Sequence, residues 1–206
     1  MKNRKSNRLK NYDYSQNGMY FVTICTQNRE ELFGEIKDGK IVLSELGKII
    51  EKDYLEMPTC YPSIFLDVFT IMPNHIHGIL EINKPIAVAV GADLVSAPAQ
   101  DTESIQPGQP QGLSLRSSQP QQNIGLLSKA IQGFKSKSAV EHINLMKSKN
   151  ISGSTKIWQR SFYDRIIRND AELNRVREYI LSNPAMWERD RNLSADEASN
   201  SENIFI

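Results

Sequence analysis

Two apolar runs, residues 64–71 (IFLDVFTI) and 75–82 (HIHGILEI), are separated only by Met72, Pro73 and Asn74. Parallel strands need a crossover of a dozen or more residues, so a connection this short allows only an antiparallel hairpin. In the second run His75 and His77 flank Ile76. Side chains alternate along a strand, so both imidazoles share one face and Ile76 points to the other, into the core. Two imidazoles placed this way can chelate one divalent ion; a strand exposing two solvated histidines is the plainer alternative. Only His142 lies elsewhere, which makes the concentration of histidine in one triplet notable.

The rest of the chain supplies a sheet and helices to complete that hairpin. Residues 19–27, MYFVTICTQ, form a β-rich and nearly continuous apolar run, the mark of a central strand. Residues 32–47 contain a short strand, the turn pair Asp38-Gly39 and a returning strand over 40–43. Ser44 is placed as an N-cap, and Leu46, Ile49, Ile50 and Tyr54 recur at helical spacing until Met57-Pro58. After residue 123 the order is a helix over about 124–147 with Asn123 as cap, a strand over 156–167, and a last helix from Asn169-Asp170 to Asn183-Pro184. From Ser138 the first of these helices either continues or gives way to a second. This pattern predicts an α+β fold, a ferredoxin-like (RRM-like) sandwich with a central antiparallel sheet and helices segregated to one face.

Composition divides the 206 residues into three parts. Residues 1–17 open with five cations and no acid in the first ten, while residues 187–206 hold five acids against two arginines. Residues 84–123 carry five of the nine prolines, seven glutamines and no aromatic residue, a composition too poor in apolar surface to offset the entropy of ordering. They read as a low-complexity insertion in a domain spanning 18–187, followed by a flexible acidic tail from 188. The formal charge of +1 provides no global basic field, so nucleic-acid binding must come from local patches. Cys25 and Cys60 have no metal-ligand spacing, and no apolar run approaches a membrane span; a cytoplasmic protein without a membrane partner is expected.

On the last helix Leu173, Val176 and Ile180 form an apolar stripe, and Tyr179 and Asn183 lie one turn apart on an adjoining face. A phenol and an amide so placed suit a nucleophile and a metal ligand, although a core-edge aromatic and a residue that ends a helix before proline are the plainer reading of the residues alone. Four segments in order, MPNHIHGIL, a helix with GFKSKS, IWQRSFYDRIIRN, and REYILSNP followed by Trp187, resemble the single-strand tyrosine transposases of the HUH superfamily, in particular those associated with repeated extragenic palindromes. The resemblance spans residues 8–187, interrupted by 84–123.

The resemblance implies an HUH endonuclease type of fold and a transposase that nicks and rejoins single-stranded DNA at hairpin-associated sites through a 5′-phosphotyrosine. It implies that His75, His77 and Asn183 hold a divalent metal, Mg²⁺ or Mn²⁺, and that Tyr179 is the nucleophile, with Tyr163 in the strand segment as rival. Phosphate contacts are expected from Arg4, Lys5, Arg8 and Lys10 in the arm, from Lys129, Lys135 and Lys137 on the penultimate helix, and from Arg160 and Arg165 near the last strand. Monomer and homodimer both remain open. The rival readings are a non-catalytic single-stranded nucleic-acid-binding protein of the same fold and a hydrolase that uses the histidines to activate water.

Overall fold

The computed structural model describes residues 16–84 and 125–192. The arm cations Arg4, Lys5, Arg8 and Lys10, nearly all of the proline- and glutamine-rich segment, the expected cap Asn123 and the acidic tail after 192 lie outside the described residues.

The elements run β1 (Gly18–Cys25), β2 (Gly34–Lys37), β3 (Lys40–Leu43), α1 (Glu45–Leu55), a one-turn α2 (Met57–Cys60), β4 (Ile64–Met72), β5 (His75–Ile82), α3 (Leu126–Ser148), β6 (Tyr163–Ile167) and α4 (Asp170–Asn192). The main sheet has the order β4-β5-β1-β6 with every pairing antiparallel. Setting aside the separate β2–β3 hairpin and α2, the succession β1-α1-β4-β5-α3-β6 with β1 and β5 central is the split βαβ arrangement of ferredoxin-like folds. The α+β sandwich expected from the sequence is the fold observed.

The helices, however, are not confined to one face. Tyr20, Val22 and Ile24 of β1, with Ile76, Leu80 and Ile82 of β5, join Leu46, Ile50 and Tyr54 of α1 and Leu127, Ile131 and Phe134 of α3 in the larger core. On the opposite face Ile79 and Ile167, with Met19 and Phe21 beside them, pack against Leu173 and Ile180 of α4. The cause is visible in β1, whose run is apolar on both faces and therefore needs cover on both.

Local chemistry fixes several boundaries. Asp38 (φ 50°) and Gly39 (φ 70°) provide the two left-handed residues of the tight β2–β3 turn. The Gly47 N–H donates to Ser44 Oγ at 3.0 Å, so Ser44 caps α1 as expected. Pro58 does not simply stop α1 but sits in the first turn of α2, where its missing N–H costs nothing. α3 continues unbroken through Ser138, which is buried where its Oγ accepts the Trp158 indole N–H at 2.9 Å.

Two other expectations change. Of the strand expected over 156–167 only Tyr163–Ile167 is regular; Trp158 makes a lone bridge to Thr26, and the intervening carbonyls of Gln159 and Ser161 turn out to accept from Lys135 Nζ at 3.0 and 2.9 Å. Asn169 does cap α4, accepting from the Glu172 N–H at 2.9 Å, but the helix runs past Asn183 with Pro184 inside it. An interior proline costs roughly 3 kcal/mol. Burying Trp187, 7% exposed with its ring 6.0 Å from that of His75, offsets a comparable amount.

Candidate active site

The antiparallel register places Thr23 opposite His77 and Cys25 opposite His75, so these side chains share the face covered by α4. The β4–β5 turn tightens the arrangement: Thr26 N–H and Oγ1 both donate to Asn74 O at 2.9 Å, and Phe33 N–H donates to Pro73 O at 3.0 Å. Asn74 bridges two elements with its side chain. Its Nδ2 donates to Arg29 O at 3.2 Å, while its Oδ1 lies 2.7 Å from His75 Nδ1.

The two imidazoles point their Nε2 atoms at each other, 3.0 Å apart. His75 is 7% and His77 2% exposed. Removal from water depresses the basicity of both rings. His75 is held well below the ordinary imidazole value, the neighbouring His77 and Arg29 adding to burial; His77 is pushed down to about 3 by burial, with Arg29 contributing. Both are neutral at physiological pH, the form that coordinates metal.

α4 completes the site from the opposite side. Tyr179, Asn183 and Trp187 follow one another at four-residue spacing, one stripe of the helix. The first and last rings lie over the histidines, Tyr179 at 5.3 Å from His77 and Trp187 at 6.0 Å from His75. The Tyr179 hydroxyl is 3.4 Å from His77 Nε2. Between these rings on the stripe is Asn183, 3% exposed, whose Oδ1 is buried without a hydrogen-bond partner. A buried, unpaired amide oxygen is costly unless something else is to be bound there.

These residues fit a small divalent ion. Their Nε2 atoms, 3.0 Å apart and both on neutral rings, are close enough to be donors to one ion. Asn183 Oδ1, buried on the same α4 stripe and without a hydrogen-bond partner, is an oxygen of the type such an ion takes. No group of three or more His, Cys, Asp or Glu side chains that could hold a metal ion occurs among the described residues.

The other expected site residues divide clearly. Tyr163, 42% exposed, is level with Thr23 and His77 on the same face, but it stands on β6 with β1 between it and the histidine strand. Two strand spacings amount to about 10 Å, so the structure brings Tyr179 to the histidines and leaves Tyr163 at the sheet edge. Lys137 is engaged by Asp53 at 2.8 Å and by Glu56, tying α3 to α1, and Arg165 is paired with Glu172 at 2.6 Å. Lys135 holds two carbonyls, and burial lowers it to about 8. Lys129 and Arg160 are exposed. Arg160 lines a cleft of about 350 Å³ with Gln27, Asn28, Lys156, Gln159 and Ser161, at the end of β1 beyond the Thr26–Trp158 bridge. Thr23, Arg29 and Asn74 were not anticipated. Only the register between strands and the folding of the turn bring them to the histidines, although Asn74 adjoins the triplet in sequence.

Fold and site together define a ferredoxin-like α+β protein whose central strand presents a histidine pair to a tyrosine-bearing helix. Within that class the chain belongs to the same family as an uncharacterised protein of Haemophilus influenzae (strain ATCC 51907 / DSM 11121 / KW20 / Rd), with which it is 34% identical over 188 residues, 91% of this chain and 92% of the relative. No family model matches the chain. Among solved structures it is similar to a REP-associated tyrosine transposase bound to a REP hairpin, at 14% identity and a TM-score of 0.48 over 86% of this chain and 72% of the other. It is also similar to a Deinococcus radiodurans R1 protein named as a transposase, at 12% identity and a TM-score of 0.41 over 84% and 96% of the two chains. No helix among the described residues is long and apolar enough to cross a membrane.

Proposed function

We propose that the protein is a metal-dependent transposase that cleaves and rejoins single-stranded DNA at hairpin-associated sites, with Tyr179 as nucleophile and His75, His77 and Asn183 as ligands of Mg²⁺ or Mn²⁺. The observation that carries this reading is the approach of the Tyr179 hydroxyl, from a separate helix, to within 3.4 Å of the convergent histidine pair. The four sequence segments that resemble HUH transposases lie on β5, α3, β6 with the stretch before it, and α4, and the site draws on the first and last.

A phenol with an ordinary pKa near 10 is a weak nucleophile at neutral pH. A bound divalent ion would supply positive charge beside the phenol and the scissile phosphate, favouring the phenolate and the charge that develops on the phosphoryl oxygens. Tyr179 Oη forms a bond to phosphorus, the bond from phosphorus to the 3′ oxygen breaks, and the phenol proton is balanced by the proton gained by the released 3′-hydroxyl. The phosphodiester energy stays in the tyrosine ester, so a 3′-hydroxyl can reverse the reaction without ATP. Phe21 packs edge-on to Tyr179 at 6.1 Å and stacks on His77 at 5.3 Å, holding nucleophile and ligand in one array. The cleft with Arg160 and Lys156, together with Lys129 and the N-terminal arm, supplies cations for the DNA backbone.

Incubation with single-stranded hairpin DNA and Mn²⁺ tests the reading. A covalent protein–DNA adduct is expected in the wild type and in Tyr163→Phe and is expected to vanish in Tyr179→Phe. Metal-dependent cleavage without an adduct would instead identify a hydrolase, and tight binding without either product a non-catalytic nucleic-acid-binding protein.

A further inference from the structure

We propose that Asn74 and Thr23 set the hydrogen positions of the histidine pair: Asn74 locks His75 in its metal-ready tautomer, and Thr23 lets His77 change tautomer as an ion arrives. The inference rests on the reading of His75 and His77 as ligands of a divalent ion.

The hydrogen-bond inventory forces the first half. Asn74 Nδ2 is committed to Arg29 O at 3.2 Å, so the atom 2.7 Å from His75 Nδ1 is Oδ1, which can only accept. His75 therefore carries its proton on Nδ1 and a lone pair on Nε2. Without an ion, a lone pair on His77 Nε2 as well would set two lone pairs face to face across 3.0 Å in a buried site. The favourable arrangement puts a proton on His77 Nε2, donating to His75 Nε2. His77 Nδ1 then bears the lone pair, and the Thr23 hydroxyl, 2.9 Å away, donates into it.

An ion held by both imidazoles through Nε2 would require the opposite tautomer of His77. Its proton must leave Nε2 and one must reside on Nδ1, so the ring stays neutral and no proton is gained or lost overall. Nδ1–H now needs an acceptor where it previously needed a donor. A hydroxyl is both and changes role by rotating about its C–O bond. A carbonyl in its place would favour the metal-ready tautomer alone, and an aliphatic side chain would leave Nδ1 unpaired in either state. Thr23 is 3% exposed, and its place opposite His77 in the β1–β5 register fixes the hydroxyl where the ring needs it. Both are positioning residues: they act on the metal through the imidazoles.

Long-range proton–nitrogen NMR correlations on protein labelled with ¹⁵N-histidine, recorded with and without Mg²⁺, read the tautomers directly. The expected result is His75 protonated on Nδ1 throughout and His77 moving from Nε2–H to Nδ1–H as Mg²⁺ is added. By calorimetry Thr23→Val should weaken Mg²⁺ binding about tenfold to a hundredfold, and Thr23→Ser, which restores the hydroxyl, should return it to near the wild-type value. A His77 tautomer unchanged by a bound Mg²⁺, or undiminished affinity in a folded Thr23→Val protein, overturns the proposal while leaving the metal site standing. Mg²⁺ that perturbs neither ring overturns both. If Thr23→Val does not fold, the wild-type tautomer comparison decides alone.

Discussion

His77 touches three elements at once: Thr23 on β1, His75 on its own strand and Tyr179 on α4. Holding its neighbour and itself neutral in the core has a consequence for stability against pH. Both histidines have folded-state values below the unfolded value near 6.5, so above that pH neither state binds the proton and the pair contributes no difference. As the pH falls from 6.5 towards about 3, the unfolded chain takes up protons that folded His77 refuses, and stability is lost. Urea unfolding in the presence of a chelator should therefore show a decrease on the order of 2 kcal/mol per histidine between pH 7.5 and pH 5. His77→Gln should remove about half of that dependence, leaving the share of His75. The pair itself was readable from sequence, because alternation along a strand is a local rule. Thr23 was not, since its partner is 54 positions away and only the pairing of β1 with β5 makes them neighbours.

Among the elements, α1 and α3 are joined by a charge that the sequence suggested for another purpose. Lys137 sits in a helix rich in lysine, and in isolation each lysine there is an equal candidate for a phosphate contact. Its Nζ lies between Asp53, whose side chain is wholly buried, and Glu56. Removing it strands a buried carboxylate, so Lys137→Ala should cost roughly 3 kcal/mol in chemical denaturation, whereas exposed Lys129→Ala should change stability by less than about 0.5 kcal/mol. The same contrast explains α4. The rule that proline ends a helix is sound locally, but Trp187 lies beyond Pro184 and can reach His75 only if the helix continues. Ser44, Asp38-Gly39 and Asn169 were legible because each acts within three or four residues. Pro184 was misread, and the ion pairs of Lys137 were not legible, because the deciding partners come from other elements.

At the level of the whole molecule the sheet has one face packed for stability and one that carries the site. The face between the helices was the part of the fold that composition already hinted at: β1 is apolar at nearly every position, which a sheet covered on one side does not require. The site face depends on parity, and the sheet protects it. The register shift in the β4–β5 pairing falls between Leu66 and Phe69, so the surplus length is taken up around Asp67 and Val68 of edge strand β4, while β5 pairs with β1 without interruption from Gly18–Ile82 to Cys25–His75. Asp67 at the irregularity is held by Arg177 of α4 through contacts of 3.2, 3.1 and 2.5 Å, which gives the bulge its own anchor. Length variation is thus cheap in one strand and ruinous in its neighbour. Deleting one residue at the β4 bulge should leave a folded protein that still binds Mn²⁺ by calorimetry, but deleting Ile76 should abolish binding. Over generations of insertion and deletion, the outer strand can absorb the drift in chain length so that the inner one keeps count.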